Sequence, residues 1–284
     1  VMDIKTGELV AMVSLPNFDP NLPNQNNPED TFNRNTLGVY EMGSTFKILN
    51  TAIALESGTA TPNSAYDATQ PVRIGRFTVT DFKGKNRELT LTEAFVYSSN
   101  IAAIKIAQQF GTQTQKKYLE KLGIFKPATV EVPEIAYPLL PSPWTAVTTM
   151  TVAYGYGISV TPLRVMATIG SVINDGIKVQ PTLLYQPHPP NLENAEQTLS
   201  KKTSQMIRDL MRTVVNEGTA KKADITGYQV FGKTGTAYQA KGGRGYGQNK
   251  TRITSFVGGF PYHQPRYMVF VMLDDPKASS LTYG

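Results

Sequence analysis

Residues 39–58 read Val-Tyr-Glu-Met-Gly-Ser-Thr-Phe-Lys-Ile-Leu-Asn-Thr-Ala-Ile-Ala-Leu-Glu-Ser-Gly. From Gly43 onward, Phe46, Leu49, Ile53 and the neighbouring alanines recur at helical spacing, and Gly58 supplies a C-terminal stop. This is the first strong helix of the chain, and Ser44 and Lys47 stand at its start. A serine at i and a lysine at i+3 meet across one helical turn. No other serine in the chain has a lysine at that spacing. A lysine kept partly neutral can activate a serine hydroxyl as a nucleophile. The same helix start offers free backbone N–H groups and a partial positive charge, which suit an oxyanion formed after attack. The ordinary structural alternative is a serine cap followed by an exposed lysine.

Outward from that helix the chain organises as α+β. Residues 1–15 read as a hairpin, with strands Val1 to Ile4 and Leu9 to Val13 around a Lys5-Thr6-Gly7-Glu8 turn. Residues 16–36 are rich in Asn and Pro and read as loop. Residues 59–90 are broken by Pro and Gly, with a short strand at Arg76 to Thr80. Helices are expected over 90–97, 101–110, 113–122, Thr161 to Asn174 and Ser200 to Val215. The stretch 126–147 is Pro-rich and carries the only tryptophan, Trp144, and 180–198 reads as a Pro-rich surface loop. Three strands follow: Tyr228 to Gly235, Arg252 to Phe260 and Tyr267 to Leu273. Strands at both ends and helices between them predict one sheet that joins the termini.

Composition narrows the chemistry. The 284 residues are 40% hydrophobic and 18% charged, a globular profile. There is no cysteine, so disulfides, thiol catalysis and cysteine-ligated metals are excluded. His188 and His263 are the only histidines, which leaves poor support for a Ser–His–Asp triad or a multi-histidine metal site. No metal and no cofactor is expected. The net charge of +6 suits an anionic partner without establishing one. The pairs Lys116-Lys117, Lys201-Lys202 and Lys221-Lys222 read as solvated helix faces, with no aromatic interleaving of a nucleic-acid kind. No apolar run of membrane-spanning length and no signal peptide is visible. The chain opens and closes near predicted strands and reads as a fragment of a longer protein.

Two further constellations join Ser44 and Lys47. Ser98-Ser99-Asn100 falls between two helices, where a corner can aim a hydroxyl and an amide into a cleft. The hydroxyl could pass a proton to a leaving group and the amide could bond a substrate backbone; the alternative is a helix cap. Lys-Thr-Gly occurs twice. Lys5-Thr6-Gly7 reads as turn chemistry. Lys233, Thr234, Gly235 and Thr236 fall on a strand, where lysine and threonine could bind a carboxylate and glycine lets a substrate backbone approach the edge. The alternative for Lys233 is an exposed edge-strand lysine.

Ser-x-x-Lys at 44–47, Ser-x-Asn at 98–100 and Lys-Thr-Gly at 233–235, in that order on helix, corner and strand, form the set found in penicillin-binding proteins and class A β-lactamases. The chain resembles the transpeptidase domain of a class B penicillin-binding protein over nearly its whole length. Val39 to Lys47, Tyr97 to Ile101, Gly155 to Pro162 and Glu217 to Ala220 carry the likeness beyond the motifs, and Ser-x-Asn favours the division-specific branch. The resemblance implies the serine β-lactamase-like fold: an antiparallel sheet from both chain ends, flanked by helices, with a mostly helical central region. It implies a D,D-transpeptidase that cross-links peptidoglycan stem peptides at the septum and is acylated by β-lactams. Ser44 would be the nucleophile, Lys47 the base and Ser98 the proton relay, while Asn100 would orient substrate. Lys233, Thr234 and Thr236 would bind the terminal carboxylate, and the backbone N–H groups of Ser44 and Thr236 would form the oxyanion hole. The implied partners are the D-Ala-D-Ala donor, the amine acceptor, a membrane glycosyltransferase and other division proteins. The resemblance also implies an N-terminal inner-membrane anchor, a pedestal domain and a C-terminal helix on the sheet, none evident in 1–284, with the catalytic domain in the periplasm.

Two other readings stay open from the residues. Ser44 to Asn50 and Ala54 to Gly58 look like the class D β-lactamases, whose second motif usually ends in an apolar residue where this chain has Asn100. The Glu-x-x-Asn motif of the class A deacylating loop is absent. A sensor that binds β-lactams or wall fragments without turnover would keep all three motifs. Residues 240–250, Ala-Lys-Gly-Gly-Arg-Gly-Tyr-Gly-Gln-Asn-Lys, read as a mobile loop beside the site and not as a phosphate cradle.

Overall fold

The computed structural model describes residues 1–187, 195–240 and 250–277. The expected loop after the third motif (241–249) and His188 lie outside the described residues. The sheet has four strands: β1 (Met2–Asp3), β6 (Phe231–Ala240), β7 (Lys250–Phe260) and β8 (Tyr267–Asp274), in the order β1-β8-β7-β6, all antiparallel. Met2 opposes Met268 and Lys233 opposes Val257, so the first residues and the last strands share one surface, as the sequence pattern predicts. Short pairs β2 (Ala65–Asp67) with β5 (Glu88–Thr90), and β3 (Val72–Ile74) with β4 (Phe77–Val79), stand apart from it.

The helices are α1 (Pro28–Thr31), α2 (Lys47–Glu56), α3 (Leu91–Val96), α4 (Asn100–Lys121), α5 (Ala146–Val152), α6 (Pro162–Ile173) and α7 (Lys201–Asn216). A 3-10 turn, Gly43–Phe46, leads into α2. Every residue of α2 from Lys47 to Leu55 is buried, the mark of a helix with no solvent face. It packs against α4, α6 and α7. Side-chain caps start α3 to α7: Thr90 with Glu93 forms a capping box on α3, and Ser99, Thr145, Thr161 and Ser200 cap α4, α5, α6 and α7. One core runs from Met2 and Ile4 through Phe46 and Ile53 to Phe231, Val257 and Met268.

Four local expectations change. The N-terminal hairpin keeps its turn, with Asp3 N–H donating to the Glu8 carbonyl, and a short pairing, with Met2 opposite Leu9 and Ala11 N–H donating to the Val1 carbonyl. Its second limb forms no regular strand, and Glu8 and Leu9 also reach Thr182 on their other side. The two expected helices at 101–110 and 113–122 fall within α4, and Gly111 (φ +78°) marks their junction. Strand β6 starts at Phe231 and not at Tyr228, because Gln229 sits at φ +52° and breaks the extension. Helix α5 was not anticipated, since its run of threonines and valines favours strand. Tertiary bonds to α4 hold it: Gln115 donates to the Thr149 carbonyl, and Thr149 donates to the Thr112 hydroxyl.

Candidate active site

The three expected motifs converge. Lys47 Nζ lies 3.1 Å from Ser44 Oγ, 3.2 Å from Ser98 Oγ, 2.6 Å from the Ser98 carbonyl oxygen and 2.7 Å from Asn100 Oδ1. Lys233 Nζ reaches the same Ser98 hydroxyl at 3.0 Å and the Thr234 carbonyl at 3.2 Å. One hydroxyl, on Ser98, therefore bridges two amines. Ser44 is partly exposed, while Lys47 and Lys233 are enclosed.

Each wall is set by its backbone. The 3-10 turn carries Ser44 and is tied down by the Thr45 hydroxyl, which donates to the Met42 carbonyl. Gly43 N–H donates to the Gly155 carbonyl at 3.1 Å. Gly155 sits at φ +93°, and a Cβ there would overlap the Gly43 carbonyl oxygen, so this approach requires glycine. Gly235 plays the matching part on β6: its Cβ would lie 2.7 Å from Thr45 Cγ2. The Lys-Thr-Gly strand can therefore lie directly on the turn that carries Ser44. The second wall is the corner between α3 and α4, where Ser98 takes φ +59°. A non-glycine residue there stores about 1–3 kcal/mol of strain. The Ser98 and Ser99 amides return to the Phe95 and Ala94 carbonyls and help hold the corner.

The electrostatics follow from enclosure. Burial pushes the Lys47 pKa well below the ordinary lysine value; the nearby Lys233 pushes it further and Asp81 opposes both. Burial brings Lys233 down to about 7. A lysine that is neutral near physiological pH can accept a proton from a serine hydroxyl beside it.

The remaining site residues fall as follows. Thr234 and Thr236 are half-buried on β6, the sheet edge, where Thr236 opposes Thr254. The Thr234 hydroxyl shares a 2.8 Å hydrogen bond with Thr219. Asn100 differs from a purely substrate-facing group: its oxygen accepts from Lys47, and its NH2 donates to the Thr80 carbonyl at 3.1 Å. Lys5-Thr6-Gly7 stays apart, with Lys5 donating to Asn174 Oδ1 at 2.7 Å. The sequence reading missed Asp81, whose carboxylate accepts from Ser99, Asn100 and Ile101. It stands 18 residues before Ser99, at no spacing that marks a shared surface. It also missed Thr219 and Tyr156 as individuals, though both lie in segments that carried the resemblance; the Tyr156 hydroxyl accepts from Tyr238 N–H.

A serine beside two enclosed lysines that share one hydroxyl has the donor set of a serine acyl-transfer type of site. The model of the penicillin-binding protein transpeptidase domain matches residues 1–284, and the chain belongs to that family, in its class B branch. It is 34% identical to the probable peptidoglycan D,D-transpeptidase FtsI of Caulobacter vibrioides over 100% of this chain and 49% of that protein. The chain thus spans about half the length of the curated relatives it matches. Among solved structures, the transpeptidase domain of Burkholderia pseudomallei penicillin-binding protein 3 superposes with a TM-score of 0.84 at 29% identity, over 97% of this chain and 78% of that one. Mycobacterium tuberculosis penicillin-binding protein 3, solved in complex with aztreonam, gives 0.87 at 28% identity over 98% and 66%.

Proposed function

We propose that residues 1–284 form the catalytic domain of a septal peptidoglycan D,D-transpeptidase. The observation that carries this is the single cluster of Ser44, Lys47, Ser98, Asn100 and Lys233. Ser44 Oγ attacks the penultimate D-Ala carbonyl carbon and its proton passes to neutral Lys47. The N–H groups of Ser44 and Thr236 receive the oxyanion. The amide C–N bond then breaks, Ser98 relays the proton to the departing D-Ala nitrogen, and an acyl-Ser44 ester remains. An amine of a neighbouring stem attacks that ester, forms the cross-link and restores Ser44. Lys233, Thr234 and Thr236 bind the terminal carboxylate. Asn100 holds Lys47 and orients the substrate amide. No step calls for a cofactor.

A β-lactam presents the same acyl group and carboxylate, but its broken amide stays tethered, so the acyl-enzyme persists. Among the described residues, no helix is long and apolar enough to cross a membrane. In the full protein we place an inner-membrane anchor and pedestal outside residues 1–284. The catalytic domain then works in the periplasm at the septum beside a glycosyltransferase and other division proteins.

The test is intact-mass detection of the adduct with a fluorescent penicillin over several hours, beside Ser44→Ala. One long-lived adduct, lost in Ser44→Ala at unchanged melting temperature, is the expected result. Rapid adduct loss with hydrolysed drug accumulating would mean a β-lactamase. A stable adduct with no turnover of a stem-peptide surrogate would mean a sensor.

A further inference from the structure

The corner that carries Ser98 and Asn100 is short. Helix α3 ends at Val96 and α4 begins at Asn100; the Ser98 and Ser99 amides bond back to α3, and the Asn100 and Ile101 amides are met from outside the corner. The first amides of a helix have no partner within it, and a carboxylate is the group best suited to them. Asp81, from the segment between β4 and β5, supplies one. Its Oδ1 accepts from the Asn100 and Ile101 amides at 2.5 and 3.1 Å, and its Oδ2 accepts from the Ser99 hydroxyl at 2.6 Å. Its neighbour Thr80 accepts from the Asn100 side-chain NH2 at 3.1 Å. Thr80 and Asp81 thus grip both the backbone and the amide of Asn100. With its NH2 held this way, the Asn100 oxygen is left facing Lys47 Nζ. None of the three motifs includes either residue.

We propose that Asp81 is a positioning residue of the acyl-transfer site. Its carboxylate holds the Ser98–Asn100 corner in the conformation that presents the Ser98 hydroxyl and the Asn100 oxygen to Lys47. The role rests on the serine acyl-transfer reading above and extends it beyond the motif residues. Asp81 bonds Ser99, Asn100 and Ile101, so it acts through the corner and not on the reacting atoms.

Charge separates this role from a merely structural one. The groups facing the Lys47 amine are Ser44 from its own turn, Ser98 and Asn100 from the corner, Lys233 from β6, and Asp81 through its field. Asp81→Asn keeps an oxygen for the two amides but removes the negative charge that favours the Lys47 ammonium. Lys47 then loses its proton at lower pH. Asp81→Ala removes the charge and the grip together.

The experiment measures the second-order rate of acylation by a fluorescent penicillin from about pH 5 to 9, with melting curves, for wild type and both variants. Asp81→Ala is expected to be slower by at least about tenfold throughout, as misplaced catalytic groups are. Asp81→Asn is expected within about threefold of wild type on the plateau, with its acid limb displaced to lower pH. Where Asp81→Ala fails to fold, the displacement in Asp81→Asn decides alone. An Asp81→Asn profile superimposed on that of wild type overturns the proposal. So does a folded Asp81→Ala acylated as fast as wild type. Folded wild-type protein that forms no adduct overturns the acyl-transfer reading itself, and the positioning role falls with it.

Discussion

Two lysines sit within hydrogen-bonding distance of one serine hydroxyl, and both are enclosed. Two ammonium groups so placed, away from water, repel each other and lose hydration, so at least one amine stays neutral near physiological pH. That suits the base proposed at Lys47 and costs stability at Lys233. The sign follows from the shift of Lys233 from 10.5 to about 7. Above pH 10.5 both folded and unfolded chains carry a neutral amine and there is no penalty. Between pH 10.5 and 7 the unfolded chain binds a proton that the folded chain does not, so stability falls as pH falls. Below 7 the full penalty remains. Lys233→Met, with similar volume and no amine, is expected to gain at least about 2 kcal/mol at pH 6 and to lose this part of the pH slope. Chemical denaturation at several pH values checks it, and a gain independent of pH would contradict it. The same variant is expected to lose most of its penicillin acylation.

At the scale of elements, the site is made by close approach. The 3-10 turn, the 155 loop and β6 meet backbone to backbone, with Gly155 against Gly43 and Gly43 against Thr236, and Gly235 lies against the Thr45 side chain. Gly155→Ala meets both a carbonyl oxygen and a positive φ, and neither can relax alone. It is expected to destabilise by at least about 2 kcal/mol and to slow acylation, since the turn that moves carries Ser44. Urea melts with acylation rates on the folded variant check this; unchanged stability would show that the turn yields freely. Helix α5 shows the opposite balance, where bonds to Thr112 and Gln115, the latter also accepting from Trp144 Nε1, prevail over poor local propensity.

At the scale of the molecule, the two ends of the chain close one sheet. Met2 and Ile4 are wholly buried, and Ile4 N–H donates to the Arg266 carbonyl. Asp3, also buried, accepts from Arg266 Nε at 2.8 Å. The first residues are thus part of the core that supports β8, β7 and, through them, Lys233. Met2→Ala is expected to cost about 2–5 kcal/mol, as for other fully enclosed side chains cut to alanine. A melting temperature equal to wild type would show that β1 contributes nothing to the core.

Much of this was legible in one dimension. The 3.6-residue rhythm of α2, α6 and α7 and the apolar runs of β7 and β8 are local patterns, and local patterns survive without a fold. Ser44 and Lys47 are one turn apart, so their meeting is a property of the helix alone. The wider spacing of Ser98, Asn100 and Lys233 says nothing about distance in itself; only the joint occurrence of three motifs pointed to one cleft. Asp81 left no trace of that kind, because a carboxylate capping a helix from a distant loop obeys no period. The added pairing of residues 8 and 9 with Thr182 and the formation of α5 likewise depend on long-range partners. The sequence by itself determined which residues form the three motifs and which faces are apolar, since these depend on composition and short spacing. Only the tertiary structure decided that Ser98 serves two lysines and that Asn100 faces Lys47, since both depend on which backbones can approach one another.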